Sequence, residues 1–359
     1  MLLNGFDVDT ATGNRHVELR LGDLPGLGID VDLLVVSAFA GDVAPVPGTL
    51  LGRLRQAYGI RLDQLGCALD LRNSPLQCWV STPIDWAALQ RLQTAELPSS
   101  RFRRIAVVEG SVAWQGDDLL PWPPFNRLFS LLALLPMRQI PTATVASSLL
   151  GSGNQGIDPL LHIPDLLEGY RAAFRHVPEL QQLILFGRSE RPLQMLGEAI
   201  DAALVRPTPA SARLPLPEGL AGLGQLPQLL RQSQGQVGEA LPDGLLHDLA
   251  ELLELLDEHE ISPFALGMHS RRVVEQLVQH SLVEVNETVP LFVGINLLRQ
   301  RGVDPWLISC LHQIRCFGNW MVHPQGPGQR RRVEVADVLA VLASLQRVLA
   351  EYPWEQEKR

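Results

Sequence analysis

Through about residue 205, short apolar runs of β type at 16–21, 32–37, 77–81, 104–108, 142–148 and 183–186 alternate with segments whose apolar positions recur every three or four residues. The first period is that of a strand and the second that of a helix. The pattern predicts helices over 48–58, 84–95, 124–135, 158–175 and 191–204, and the alternation predicts α/β layers. Residues 205–225 crowd prolines into a span suited to neither helix nor sheet, which predicts a linker. Beyond it every long segment has helical periodicity, at 226–239, 243–258, 263–282, 287–301, 304–322 and 333–352. Asp243 and Asp304 are predicted N-caps, with Pro305 in a first helical turn. The second half reads as an all-α bundle.

At 359 residues, 46% hydrophobic and 19% charged, the chain has a globular profile and enough length for two cores. A formal net charge of −9 argues against a broad electrostatic grip on nucleic acid and leaves room only for a local basic patch. Cys67, Cys78, Cys310 and Cys316 form no C-x-x-C pair, so neither a zinc ribbon nor a disulfide framework is suggested, and a reducing cytoplasm is the expected compartment. No signal peptide is read at the amino terminus. The longest apolar run, 128–137, is broken by Ser130 and Pro136 and reads as a core helix rather than a membrane span. Lys358 is the only lysine, a bias better assigned to base composition than to phosphate recognition by arginine. The loops G-x-x-x-x-G-K-[ST], H-E-x-x-H and G-x-S-x-G are absent, which removes support for nucleoside triphosphatase, zinc peptidase and serine hydrolase chemistry.

The most informative stretch is Thr144-Val-Ala-Ser-Ser-Leu-Leu-Gly-Ser-Gly-Asn-Gln-Gly156, a strand running into a glycine-rich loop before a helix. Gly151, Gly153 and Gly156 lack Cβ atoms, so successive main-chain N–H groups can turn toward an anion, although an ordinary strand-to-helix turn would use the same residues. Four features occur in order: Val17-Glu-Leu-Arg-Leu-Gly-Asp23-Leu24, Val31-Asp-Leu-Leu-Val-Val-Ser37-Ala38-Phe-Ala, Pro47-Gly48-Thr49-Leu50 before a helix, and Gly151-Ser-Gly-Asn-Gln-Gly156. Over residues 10–204 this order resembles a macro domain. The resemblance implies a macro-like α/β three-layer domain with a mixed sheet and a ligand that is ADP-ribose or a derivative. It implies that Asp23 accepts the adenine amino group, with Leu24 beside it, and that a helix N-cap is the alternative role for Asp23. Leu150, Gly151, Ser152, Gly153, Asn154, Gln155 and Gly156 would cradle the diphosphate, and Gly48, Thr49 and Leu50 would close the other side. Phe186 would lie against ribose or adenine, or else be a core residue. Ser37 and Ala38 stand where hydrolytic members carry asparagines that orient a ribose and a water, so a receptor is favoured over a hydrolase. Trp79, Trp86 and Trp114, in a middle region longer than the family's, would cover or reshape the distal pocket.

In the second half, Arg315-Cys-Phe-Gly-Asn319-Trp-Met-Val-His323 places three polar residues at four-residue spacing on one helix face, preceded by Arg271-Arg272-Val-Val-Glu275. Over 260–352 this resembles an all-helical group related to the HEPN superfamily, whose members are commonly dimers with an Arg/His ribonuclease site independent of metal. The resemblance implies Arg315, Asn319 and His323 as catalytic residues, an RNA substrate and a homodimer or higher oligomer through the helical domain. The chemistry is coherent, since a histidine can move a proton at the 2′-hydroxyl and an arginine can neutralise phosphoryl charge. The other reading is structural: Asn319 and His323 brace a helix end and Arg315 pairs with Glu275. Arg330-Arg331-Arg332 would touch RNA phosphates or form a solvated loop. The helix over 247–260 reads as an exposed amphipathic surface or a partner helix.

The expected architecture is therefore a macro-like domain over 1–204, a linker over 205–225 and a HEPN-like helical domain over 226–359. The expected function is a sensor and effector, with bacterial antiviral defence as the implied context. No cofactor, metal or membrane is expected. An ADP-ribosyl hydrolase with a helical targeting domain, or an adaptor that reads ADP-ribose without catalysis, is the alternative.

Overall fold

The computed structural model describes residues 1–10, 13–93, 96–110, 124–151, 163–215, 225–236, 244–282, 289–323 and 331–354. The chain divides into two compact units, Met1–Leu3 with Arg15–Ala199 and Asn4–Asn14 with Ile200–Arg359.

The first unit is an α/β domain, as the alternation predicts, and its sheet is mixed, as the macro-domain resemblance implies. Its strands are β2 (Gly13–Leu21), β3 (Asp30–Phe39), β4 (Cys67–Leu71), β5 (Cys78–Ser81), β6 (Arg101–Gly110), β7 (Thr144–Ser148) and β8 (Gln182–Gly187). From β2 the order is β2-β8-β7-β3-β6-β5-β4. The pairs β2/β8, β8/β7, β7/β3 and β3/β6 are parallel, whereas β6/β5 and β5/β4 are antiparallel. In β3 the residues Leu33, Leu34, Val35 and Val36 are all fully buried, so both faces of this central strand are covered. One face packs Leu34, Val36 and Ala38 with Leu54 and Tyr58 of α1 (Leu50–Tyr58) and with Trp86 of α2 (Trp86–Leu92). The helices α3 (Pro124–Leu134), α4 (Ile163–His176) and α5 (Glu190–Ala203) follow near their predicted positions. The apolar run read as a core helix begins in α3, where Leu128, Leu131 and Leu132 are fully buried, and ends in a short 3₁₀ turn over Pro136–Arg138 that exposes Met137. No helix among the described residues is long and apolar enough to cross a membrane.

The second unit is helical: α6 (Leu226–Gln236), α7 (Gly244–Asp257), α8 (Pro263–Ser281), α9 (Leu291–Gln300), α10 (Pro305–Val322) and α11 (Val335–Ala350). Local chemistry sets the helix starts. Asp304 accepts from the Trp306 and Leu307 amides with Pro305 in the first turn, and Ser262 caps α8 through the Ala265 amide. Glu334 and Asp337 form a reciprocal capping box on α11. Asp243 lies outside the described residues.

Polar burial shapes this unit. His269 on α8 is fully buried, with Nδ1 2.7 Å from Asp248 Oδ1 on α7, and Gln276 donates to the other Asp248 oxygen at 3.3 Å. Asp248 is therefore turned inward from a helix whose acidic pattern suggested an exposed face. The stretch expected to be a linker is built into the unit as far as it is described. The Ala210 amide donates to Asp201, the Val333 amide donates to Thr208, and Leu214–Pro215 (β9) pairs with Glu260–Ile261 (β10). Strand β1 (Leu2–Thr10), absent from the sequence reading, carries two buried polar residues for the same reason. Asn4 donates to Asp201 and accepts from Arg206, and Asp7 pairs with Arg271.

Candidate functional site

The first unit holds a cavity of about 350 Å³ at the carboxyl ends of three neighbouring parallel strands. The register keeps those ends level, with Val35 beside Ser147 and Ser148 beside Phe186. Ser37–Phe39, Ser148–Leu149 and Phe186–Gly187 thus reach one rim, where open parallel sheets present ligand crevices. The opposite wall is the loop before α1 and the first residues of that helix, Asp42 through Leu51. Gly48 adopts a left-handed φ of 83° just before Thr49, whose hydroxyl caps α1 by accepting from the Gly52 amide. A Cβ on Gly52 would lie 2.2 Å from the Val46 carbonyl oxygen, so the glycine lets this loop lie against the helix.

The cavity collects Asp23, Ser37, Ala38, Gly48, Thr49, Leu50 and Phe186, residues drawn from four separate stretches of the sequence. Asp23 does not use its side chain to cap the short 3₁₀ turn it precedes. It pairs instead with Arg53 on α1, Nε to Oδ2 at 2.9 Å, with both side chains about a third exposed. Ser37 Oγ accepts from the Gly151 amide at 3.4 Å, tying the end of β3 to the start of the glycine loop. Gly151 itself has a left-handed φ of 78°.

Other expected contacts fall elsewhere. Leu24 is fully buried in the hydrophobic core beside Leu54 and Tyr58 and does not line the cavity. Leu150, 1% exposed, is also outside the lining. Ser152, Gly153, Asn154, Gln155 and Gly156 lie outside the described residues, as does Trp114. Trp86 packs edge-on to Tyr58 and Phe102, and Trp79 is buried in the same core, so neither covers the cavity. Sequence reasoning missed Asp42, Ser148, Arg188 and Ser189. The usable signal for the last two was their position just beyond a predicted strand that ends at the same rim.

The second unit holds a more open cleft of about 600 Å³ between α10 and α11, and it brings together Arg315, Asn319 and His323. Arg315 makes no ion pair among the described residues; it lies over the Phe292 ring at 5.2 Å and beside Cys316 Sγ at 3.2 Å. Glu275 is therefore not its partner. Asn319 Oδ1 is buried without a hydrogen-bond partner among the described residues. His323 is the C-cap of α10, and its Nε2 stands 3.9 Å from Asp9. His312, next to Arg315, is pushed below its ordinary pKa by burial and then by the charges of Arg315 and Arg299. Arg331 pairs with Asp337 and stacks over Trp320, and Arg330 lies outside the described residues.

A family model described as a domain of unknown function, DUF4145, matches residues 256–359. No curated protein matches the chain. Among solved structures, the chain is similar to a substituted Oceanobacillus iheyensis macrodomain at 14% identity and a TM-score of 0.40, covering 56% of this chain and 98% of that one. The same macrodomain with ADP gives 15% identity and a TM-score of 0.39, covering 56% and 97%. A Trypanosoma brucei macrodomain in complex with ADP gives 12% and 0.33, covering 51% and 68%.

Proposed function

We propose that the first unit is a receptor for a nucleotide-derived ligand related to ADP-ribose. The observation that carries the reading is the lining itself. Asp23, the Ser37–Ala38 strand end, the Gly48–Leu50 turn and Phe186 were each expected to contact such a ligand, and one cavity gathers them. Its carboxylate suits an exocyclic amine, its glycine turn leaves main-chain groups accessible, and its strand-end aromatic suits a base or ribose.

A receptor fits this lining better than a hydrolase. Among the described lining residues there is no asparagine, so the amide pair that would hold a ribose and a water is missing from this set. The finer reading joins the units as sensor and effector in bacterial antiviral defence, with ligand binding governing the helical unit. It is supported by the cleft that gathers Arg315, Asn319 and His323. Such control requires the ligand to bind one arrangement of the protein more tightly than another.

The test is calorimetric titration of the full chain with ADP-ribose. Asp23→Asn should weaken binding about tenfold, close to 1.4 kcal/mol. Its effect on stability should be under about 1 kcal/mol, because the pair with Arg53 is partly solvated. Absence of binding by the parent chain, or equal binding by the variant, refutes the assignment. Incubation with labelled RNA, with and without ADP-ribose, tests the effector: ligand-dependent cleavage lost in His323→Ala is expected, and cleavage indifferent to ligand or to His323 counts against it.

A further inference from the structure

Arg188 stands two residues past Phe186, between β8 and α5, and lines the cavity. Its Nη2 donates to the carbonyl of Gly48 on the opposite wall, 140 residues away in the chain. Of the other charged residues of the lining, Asp23 is paired with Arg53, and Asp42 accepts from the Ala44 amide through Oδ1 and forms no ion pair with Arg188. Arg188 forms no ion pair among the described residues, so a guanidinium is held across the cavity by a neutral oxygen. Gly48 immediately precedes the N-cap of α1, whose first turn carries no acidic residue. A cation thus sits beside the positive end of a helix dipole, an arrangement that repels unless an anion joins it. A phosphoryl oxygen carries charge that the Gly48 carbonyl lacks, so it attracts the guanidinium more strongly, and a phosphate can take both arms of the fork.

We propose that Arg188 is a specificity-determining residue of this cavity, exchanging the Gly48 carbonyl for a phosphoryl oxygen of the ligand. The cavity then selects nucleoside diphosphates and their esters over neutral nucleosides. This rests on the nucleotide-receptor reading and adds to it a residue and a selection rule.

The experiment titrates the full chain and its Arg188→Met and Arg188→Lys variants with adenosine and with ADP. The parent should bind ADP at least about tenfold more tightly than adenosine. Arg188→Met should lose about tenfold for ADP while holding adenosine within about twofold, and Arg188→Lys, which keeps the charge without the fork, should fall between. Equal losses for both ligands would make Arg188 a strap on the Gly48 loop and overturn the proposal, as would an unchanged ADP affinity. A parent chain that binds adenosine and ADP equally overturns the selection rule and leaves the receptor reading standing; one that binds neither removes both. Arg188 is exposed, so the variants should keep the parent's melting temperature, which shows that the comparison is between folded proteins.

Discussion

The crossing of α8 and α10 gives the sharpest stability prediction, because two glycines meet there with neighbours of different stiffness. A Cβ on Gly318 would lie 2.7 Å from the Gly267 carbonyl oxygen and 2.6 and 2.8 Å from Cβ and Cδ of Arg271. Neither neighbour can yield cheaply. The first is helix backbone, and the second is a buried arginine paired with buried Asp7. Gly318→Ala would gain up to about 1 kcal/mol of intrinsic helix propensity. Against this, forcing a methyl into a packed crossing costs about 1–3 kcal/mol, and loosening a buried ion pair adds to that. The net expectation is a loss of about 2 kcal/mol, or roughly 4–8 °C in the melting transition of a unit this size. Gly267→Ala serves as the internal comparison. Its Cβ would meet Met321 Cγ at 2.6 Å and Phe317 Cδ1 at 3.2 Å, side-chain atoms of which the methionine is readily rearranged. It should lose no more than about 1 kcal/mol. Calorimetric melting of the full chain, with hydrogen exchange on peptides from α8 and α10 to locate the change, is the assay. Gly318→Ala as stable as the parent, or Gly267→Ala the more damaging of the two, would refute the reasoning.

Two further predictions concern groups whose protonation the fold controls. Burial pushes the Cys78 thiol up to about 12 and raises that of Cys310, while Cys67 and Cys316 are exposed; a thiol reagent at pH 8 should therefore modify two cysteines quickly in the folded chain and all four after denaturation, and fast reaction of a third contradicts the packing. All three tyrosines are raised above 10 by burial, Tyr58 to about 12, Tyr170 well beyond its ordinary value and Tyr352 by a smaller shift. The folded state thus keeps phenol protons that the unfolded state gives up, so the tyrosine contribution to stability is complete below pH 10 and lost as pH rises toward 12. Absorbance at 295 nm should rise together with unfolding, and a tyrosinate signal near pH 10 in the intact fold would contradict it.

How far the sequence exposed this design depends on whether a signal was local. The six strands read from apolar runs all exist: β2, β3, β6, β7 and β8 lie in parallel ladders, where strands covered on both faces need continuous apolar residues, and antiparallel β5 is buried along its whole length. Strand β4 went unread because an edge strand exposes Cys67, Ala68 and Asp70 and so shows no such run. Strand β1 went unread because Asn4 and Asp7 interrupt its pattern, and their burial goes with partners far along the chain, at residues 201–206 and at Arg271. The same distinction governs the sites. Asp23, Ser37 and Gly48 were reached through the ordered motifs that resemble a macro domain, and each sits at a strand end or before a helix, where the fold brings it to the cavity. Leu24 misled because it is adjacent to a rim residue yet points into the core. For Arg188 the position just beyond β8 was a usable signal for the rim, but its partner was not, because that is a carbonyl 140 residues away, reached only once β8 and the turn before α1 stand on opposite walls. In the helical unit, the glycine of the Arg315–His323 motif reads as part of a functional signature, but its neighbours make it a packing requirement. The flanking Arg315, Asn319 and His323 line the cleft instead, so one short string of sequence serves two unrelated physical demands, close approach of two helices and the lining of a cleft.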